Sequence, residues 1–302
     1  MIRTLETAFA ALAGLAFGSF LNVFVTRWPE GESVVRPRSH CRNCHHALPW
    51  WENIPLFSWL LLRGRCRSCR QWIGWRYPIV EAAVGALWAC AAWHFLQTPF
   101  DEWIPPALVA FAWTRLLAQL VFLWLLVALA ALDAENLWLP DKLTLPGMAL
   151  GFLLALARPL VVLELRWPPL TMVFEKARFG IWTPVVNSLF AAIAAAGFLL
   201  LVRWLYRLLR RREGLGLGDV KLMAMIAAWL GLRSAILTLV LAALLGTLAA
   251  LALLLIPAWR RDSTAKWAAT PLPFGAFLCL GGIVSSLWGA QLIQAYLHWA
   301  GI

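Results

Sequence analysis

Long apolar runs, most of them roughly 18 residues or more, recur along this chain of 302 residues, and they constrain its fold more than any other feature. A bilayer core offers backbone amides no water, so such runs must satisfy their hydrogen bonds internally as helices. About eight segments are expected, near 5–26, 78–97, 108–132, 143–161, 184–208, 219–232, 234–256 and 273–297. The sixth is short, and Gly231 with Arg233 marks a tight turn into the seventh. The expected fold class is an all-α polytopic membrane protein. Composition agrees: 62% of residues are hydrophobic and 14% charged, where soluble domains carry roughly 25% charge. The 20 tryptophans suit the headgroup layer. The first run, Thr7 to Val25, is longer than a signal-peptide core and has only Arg3 against Glu6 before it. It reads as a retained first helix that starts outside.

The net charge of +11 is distributed as a topology signal. With the N-terminus outside, loops 27–77, 133–142, 209–218 and 257–272 fall inside and hold most of the Lys and Arg, whereas loop 98–107 holds Asp101 and Glu102. Stretch 162–183 is less tidy, with Arg166, Lys176 and Arg178, and is expected to form a short amphipathic hairpin outside. No basic run is interleaved with an aromatic stacking platform, so nucleic acid is not an expected partner. The loop arginines are expected to meet anionic membrane lipids. No internal repeat is visible. The chain divides into a first transmembrane helix (1–26), a loop module (27–77) and a transmembrane core (78–302).

The loop module holds Cys41, Cys44, Cys66 and Cys69 as two CxxC pairs about twenty residues apart, the spacing of a four-thiolate zinc site. Four thiolates leave no open position, so such a metal is structural. Two disulfides or a redox pair are the alternatives, disfavoured in a reducing compartment. His45 and His46 read as solvated loop residues. Cys90 and Cys279 read as small apolar residues within helices.

Carboxylates at membrane segments are costly and mark candidate sites. Asp133 closes the third apolar run and Asp219 opens the sixth, following Gly214-Leu215-Gly216-Leu217-Gly218. Both fall at the inner ends of helices, so two carboxyls distant in sequence reach one membrane depth. Paired carboxyls share a proton; the ionised member can activate water while the protonated member bonds a scissile carbonyl. That is the chemistry of aspartic proteolysis. Helix polarity assigns Asp219 as base and Asp133 as acid. Gly216 and Gly218 remove side chains beside Asp219 and would admit a substrate backbone; a flexible turn with a capping aspartate is the alternative. Asp141, after Pro140, competes with Asp133 but reads as the start of the next helix. Glu81 reads equally as a helix-entry charge or as a functional carboxylate.

Taken in order, these residues resemble the type IV prepilin leader peptidases, a GxGD-type aspartic peptidase family. The resemblance is carried by Gly18-Ser19-Phe20-Leu21-Asn22 through Arg27-Trp28-Pro29, by the loop from Arg38 to Cys69 with Asn53-Ile54-Pro55, and by Arg76-Tyr77-Pro78-Ile79-Val80-Glu81. It continues with Asp133 and Leu139-Pro140-Asp141-Lys142-Leu143-Thr144, Gly216-Leu217-Gly218-Asp219-Val220-Lys221, and Pro273-Phe274-Gly275. Trp28, His40 and Arg42 depart from the usual pattern. The resemblance implies an inner-membrane enzyme that cleaves prepilins or pseudopilins after a glycine ending a basic leader, at the cytoplasmic face. It implies catalytic Asp133 and Asp219, with Gly216, Gly218, Asp141 and Lys221 in support. It also implies methylation of the new N-terminus with S-adenosylmethionine, linked to the cysteine loop; Asn22, Arg27 and Glu81 are candidate donor contacts. Glu32, Glu52, Glu81 and the aspartates are candidate leader contacts. A peptidase without methyltransferase activity, using the zinc loop as a scaffold or docking module, is the nearest alternative. An ion transporter and a noncatalytic assembly scaffold are more distant ones.

Overall fold

The computed structural model describes residues 2–97, 106–165, 180–212, 214–255 and 272–301. Its helices are α1 (Ile2–Arg27), α2 (Phe57–Leu61), α3 (Arg76–Leu96), α4 (Pro106–Asn136), α5 (Asp141–Leu165), α6 (Thr183–Arg210), α7 (Leu217–Leu255) and α8 (Phe274–Ala300). Among the described residues there is no β-strand, only two isolated bridges. Helix ends follow local chemistry. Asp141 stands in the first turn of α5, directly after Pro140, and Pro184 in the first turn of α6. Arg211 closes α6 in the left-handed conformation with its N–H on the Arg207 carbonyl.

Six of these helices, within the described residues, are long and apolar enough to cross a membrane, and the chain is a multi-pass membrane protein. The fourth expected segment lies in α5, and the sixth and seventh share α7. The break falls at Gly231 and turns the chain back as expected. Asp219 neighbours Asp133, which lies against Gly275, and Gly246 neighbours Phe277 in the same part of α8, whereas Ser234 neighbours Gly289 further along it. Only Gly231 leaves helical geometry (φ 76°, ψ 173°), a conformation that needs glycine, and Arg233 is already helical again. Most of the expected outer loop 98–107, of the hairpin 162–183 and of the inner loop 257–272 lies outside the described residues.

Two compact units divide the chain: Met1–Ile104 with Ala112–Ala128, and Pro105–Phe111 with Leu129–Ile302. In the first, α1 packs along α3 through glycines. A Cβ at Gly14 would lie 2.9 Å from Cα of Gly85, and one at Gly18 would lie 2.7 Å from Cα of Glu81. Small residues four apart allow this approach, as in membrane helix pairs generally. Segment 112–128 of α4 is joined to that pair by two indoles. Trp88 donates to the Leu120 carbonyl and Trp124 to the Phe17 carbonyl, each at 3.1 Å. In the second unit, α7 packs against α5, α6 and α8. Ser188 of α6 donates to the Ala228 carbonyl (2.7 Å) and Trp229 donates to the Gly147 carbonyl of α5 (2.7 Å).

Candidate functional site

The cysteine module is two copies of one backbone turn. The N–H of Cys41 donates to the His46 carbonyl and the N–H of Cys66 to the Gln71 carbonyl, both at 2.9 Å. Four residues after each first cysteine, His45 and Arg70 adopt positive φ (56° and 60°) and return an N–H to its carbonyl. Each turn is closed by a bridge, His40 with Ala47 and Arg65 with Trp72. A repeat is therefore present where none was expected, and both copies carry the run Cys-Arg-x-Cys. The four sulfurs lie within 4.8 Å of one another, with Cys41 to Cys69 at 3.7 Å and Cys44 to Cys66 at 3.9 Å. A tetrahedron with metal–sulfur bonds of about 2.3 Å has edges of about 3.8 Å, so the thiols fit a zinc-sized ion. All four cysteines are free, which leaves the disulfide alternative without support. Hydrogen bonds from the Gln71 backbone and the Asn43 side chain lower the Cys69 thiol to about 6. Against the His46 backbone, which lowers it, desolvation and the neighbouring sulfurs raise Cys44 to about 11.

Glu52 and Glu81 were expected as leader contacts, but both carboxyls are engaged internally. The Glu52 side chain is 5% exposed and meets Arg67 at 3.1 Å and His46 at 3.9 Å. Glu81 accepts the Leu56 N–H at 2.8 Å. Folding of the loop back onto α3 turns them inward; Glu32 stays exposed. Arg27 is buried and donates to the carbonyls of Ser33, Pro37 and Arg38, so its guanidinium serves the loop. Asn22 is buried and donates to the Tyr77 carbonyl at 3.0 Å.

In the second unit the structure brings Asp133 and Asp219 together. Asp133 stands in the last turn of α4 and Asp219 in the first turn of α7, and both are buried. Their carboxyl groups interact electrostatically with each other and with the fully buried Cys279 of α8. Asp133 Oδ2 accepts the Ala276 N–H at 2.8 Å, and Asp219 Oδ2 accepts the Gly216 N–H at 3.3 Å. Leu139 packs over both glycines beside the pair: a Cβ at Gly218 would lie 3.0 Å from its Cβ and one at Gly275 would lie 2.8 Å from its Cδ1. The N-terminus of α8 therefore faces Asp133, so helix polarity no longer separates the two carboxyls as it did in sequence. Asp141 does not join them. It is half exposed and holds Lys221 through both oxygens at 2.7 Å, tying the start of α5 to α7. Sequence reasoning placed Pro273-Phe274-Gly275 in the final helix but missed its contact with Asp133. The missed signal was a glycine at the start of a helix that lacks a polar cap.

Fold and site together define a polytopic helical membrane protein that carries a four-thiol module and a buried aspartate pair. The chain belongs to the type IV leader peptidase family, whose model matches residues 120–251; residues 12–95 match the bacterial peptidase A24 N-terminal domain. It is 33% identical to the prepilin leader peptidase/N-methyltransferase of Stutzerimonas stutzeri, over 96% of this chain and 93% of the relative. It is 34% identical to the protein of that name in Pseudomonas aeruginosa over the same shares, and 33% identical to the one in Aeromonas hydrophila over 95% and 92%. No solved structure matches the chain.

Proposed function

We propose that the protein is a bacterial inner-membrane aspartic endopeptidase that removes the basic leader of type IV prepilins or pseudopilins after a glycine, at the cytoplasmic face. The observation that carries this reading is the buried pair Asp133 and Asp219, each held on one oxygen by a backbone N–H. One carboxylate takes a proton from water as the water attacks the scissile carbonyl. The other, protonated, gives its proton to the carbonyl oxygen to form a gem-diol. As the C–N bond breaks, the first passes the proton it took from water to the leaving amine and the second takes a proton back from the diol. Gly216, Gly218, Asp141 and Lys221 hold this arrangement. The basic loops keep the module and both aspartates on the cytoplasmic side, and their arginines meet anionic lipids. Zinc on Cys41, Cys44, Cys66 and Cys69 is structural.

Methylation of the newly exposed N-terminal amine follows. S-adenosylmethionine, when bound, supplies an electrophilic methyl group: the amine lone pair bonds the methyl carbon, the carbon–sulfur electrons stay with sulfur, and the ammonium releases its proton. The test is purified protein reconstituted in vesicles with a type IV prepilin and S-adenosylmethionine, read by gel shift and intact mass. Loss of the leader and gain of one methyl group are expected. Cleavage without the methyl group would leave a peptidase alone, and no cleavage would overturn the reading.

A further inference from the structure

We propose that the cavity between the loop-proximal half of α1 and segments 34–39 and 53–55 binds S-adenosylmethionine, with the carboxyl of Glu81 directly behind its wall. The proposal rests on the methyltransferase reading above and gives it a place. The cavity holds about 390 Å³, within the roughly 300–1,000 Å³ usual for small-molecule sites. Ala16, Phe20 and Val23 line it from one face of α1 and form an apolar wall with one aromatic ring. Ser19 interrupts that wall, and its hydroxyl bonds Glu81.

Glu81 is the unusual group here. It is 7% exposed, on a helix long and apolar enough to cross a membrane, and among the described residues no Lys, Arg or His pairs with it. A carboxyl so placed without a cation is costly and marks a functional site. On the same helix as Ser19, three residues further on, Oδ1 of Asn22 is buried with no hydrogen-bond partner. The seam beside the cavity therefore holds a carboxyl with no cation beside it and, at Asn22 Oδ1, an acceptor that the chain itself does not use. At the opposite side Arg38 and Ser39 contribute a cation and donors. Arg27 holds this rim by gripping the carbonyls of Ser33, Pro37 and Arg38, as a positioning residue. A ligand that fits has cationic groups, a carboxylate and a flat apolar face. S-adenosylmethionine has a sulfonium and an ammonium, a carboxylate and an adenine ring.

The test is equilibrium binding of methyl-tritiated S-adenosylmethionine to the full chain in nanodiscs, followed by ultraviolet crosslinking of the same ligand and peptide mapping. Two variants are compared with wild type: Glu81→Gln, which keeps the shape and removes the charge, and Ala16→Trp, which fills the cavity from an exposed position. Zinc content and elution profile serve as folding controls. Label within residues 16–39 or 53–55 is expected, with binding at least tenfold weaker in both variants. Should Glu81→Gln fail to fold, Ala16→Trp decides. Binding within twofold of wild type in the folded variants, or label confined to other segments, would overturn the location. A wild-type protein that neither binds the label nor methylates would instead remove the methyltransferase reading.

Discussion

Replacing Gly275 with alanine puts a methyl carbon 2.8 Å from Asp133 Oδ2, 2.8 Å from Leu139 Cδ1 and 3.0 Å from Asp133 Cγ. Optimal contacts between heavy atoms lie near 3.5–4.0 Å, so the carboxyl or the helix start must move by about 0.5–1 Å. Overpacking of this kind costs about 1–3 kcal/mol, and a misplacement of ~1 Å lowers a rate by ~10²-fold. Leader cleavage by Gly275→Ala should therefore fall about 10- to 100-fold, or about 1.4–2.7 kcal/mol in the barrier. The other glycines form a graded series. At Gly218 the nearest atoms are Leu139 Cβ at 3.0 Å and Cδ1 at 3.3 Å, part of a half-buried side chain that can yield. At Gly216 the nearest atom is Asp219 Oδ2 at 3.4 Å, an ordinary contact. Gly218→Ala should lose several-fold and Gly216→Ala about twofold or less, as for a substitution that meets only ordinary van der Waals contact. Initial rates of prepilin cleavage in vesicles, at equal zinc content, measure the order. If Gly216→Ala proved as damaging as Gly275→Ala, the glycines would be making room for a substrate backbone, and the packing explanation would be refuted.

Two further predictions concern the module and the rim of the second unit. With Cys69 at about 6 and Cys44 at about 11, the metal-free module at pH 7 holds a proton on Cys44 that zinc must displace. Apparent zinc affinity should rise at least tenfold from pH 7 to pH 8 and fall more steeply below pH 6, where Cys69 also protonates; competition with a chromophoric chelator reads this, and a pH-independent affinity would contradict it. The Asp141–Lys221 pair is half exposed, so a double-mutant cycle with Asp141→Asn and Lys221→Met should give a coupling of only about 0.3–1 kcal/mol in thermal unfolding, and Asp141→Asn should keep cleavage within about tenfold of wild type; a loss as deep as that of an Asp133 variant would place Asp141 in the chemistry.

Membrane segments were legible because the bilayer demands apolar length and internal hydrogen bonding, which leaves a mark on every residue of a span. Gly231 was legible as a break because only glycine tolerates its φ of 76°, yet whether one residue or several leave the helix is decided by packing around α7. The thiol site was readable from spacing. Its doubled turn was only half readable: Cys-Arg-x-Cys recurs in sequence, whereas the closing backbone hydrogen bonds and the φ signs at His45 and Arg70 leave no mark there. Asp133 and Asp219 were found from their helix-end positions. Gly216, which supports Asp219, was named with it, but the support of Asp133 was not: the Ala276 N–H reaches it across 143 residues of chain, and Leu139 carries no polar signal at all. Glu52 and Glu81 looked available in sequence and are turned inward by the loop fold, which no local pattern announces.

The central claim is most directly tested by the isosteric variants Asp133→Asn and Asp219→Asn, assayed for leader removal from a type IV prepilin in reconstituted vesicles. Each carboxamide keeps the shape and removes the ability to take or give the proton, so each variant should lose cleavage by at least ~10³-fold while retaining zinc and wild-type elution. Cleavage within tenfold of wild type by either folded variant would contradict the account.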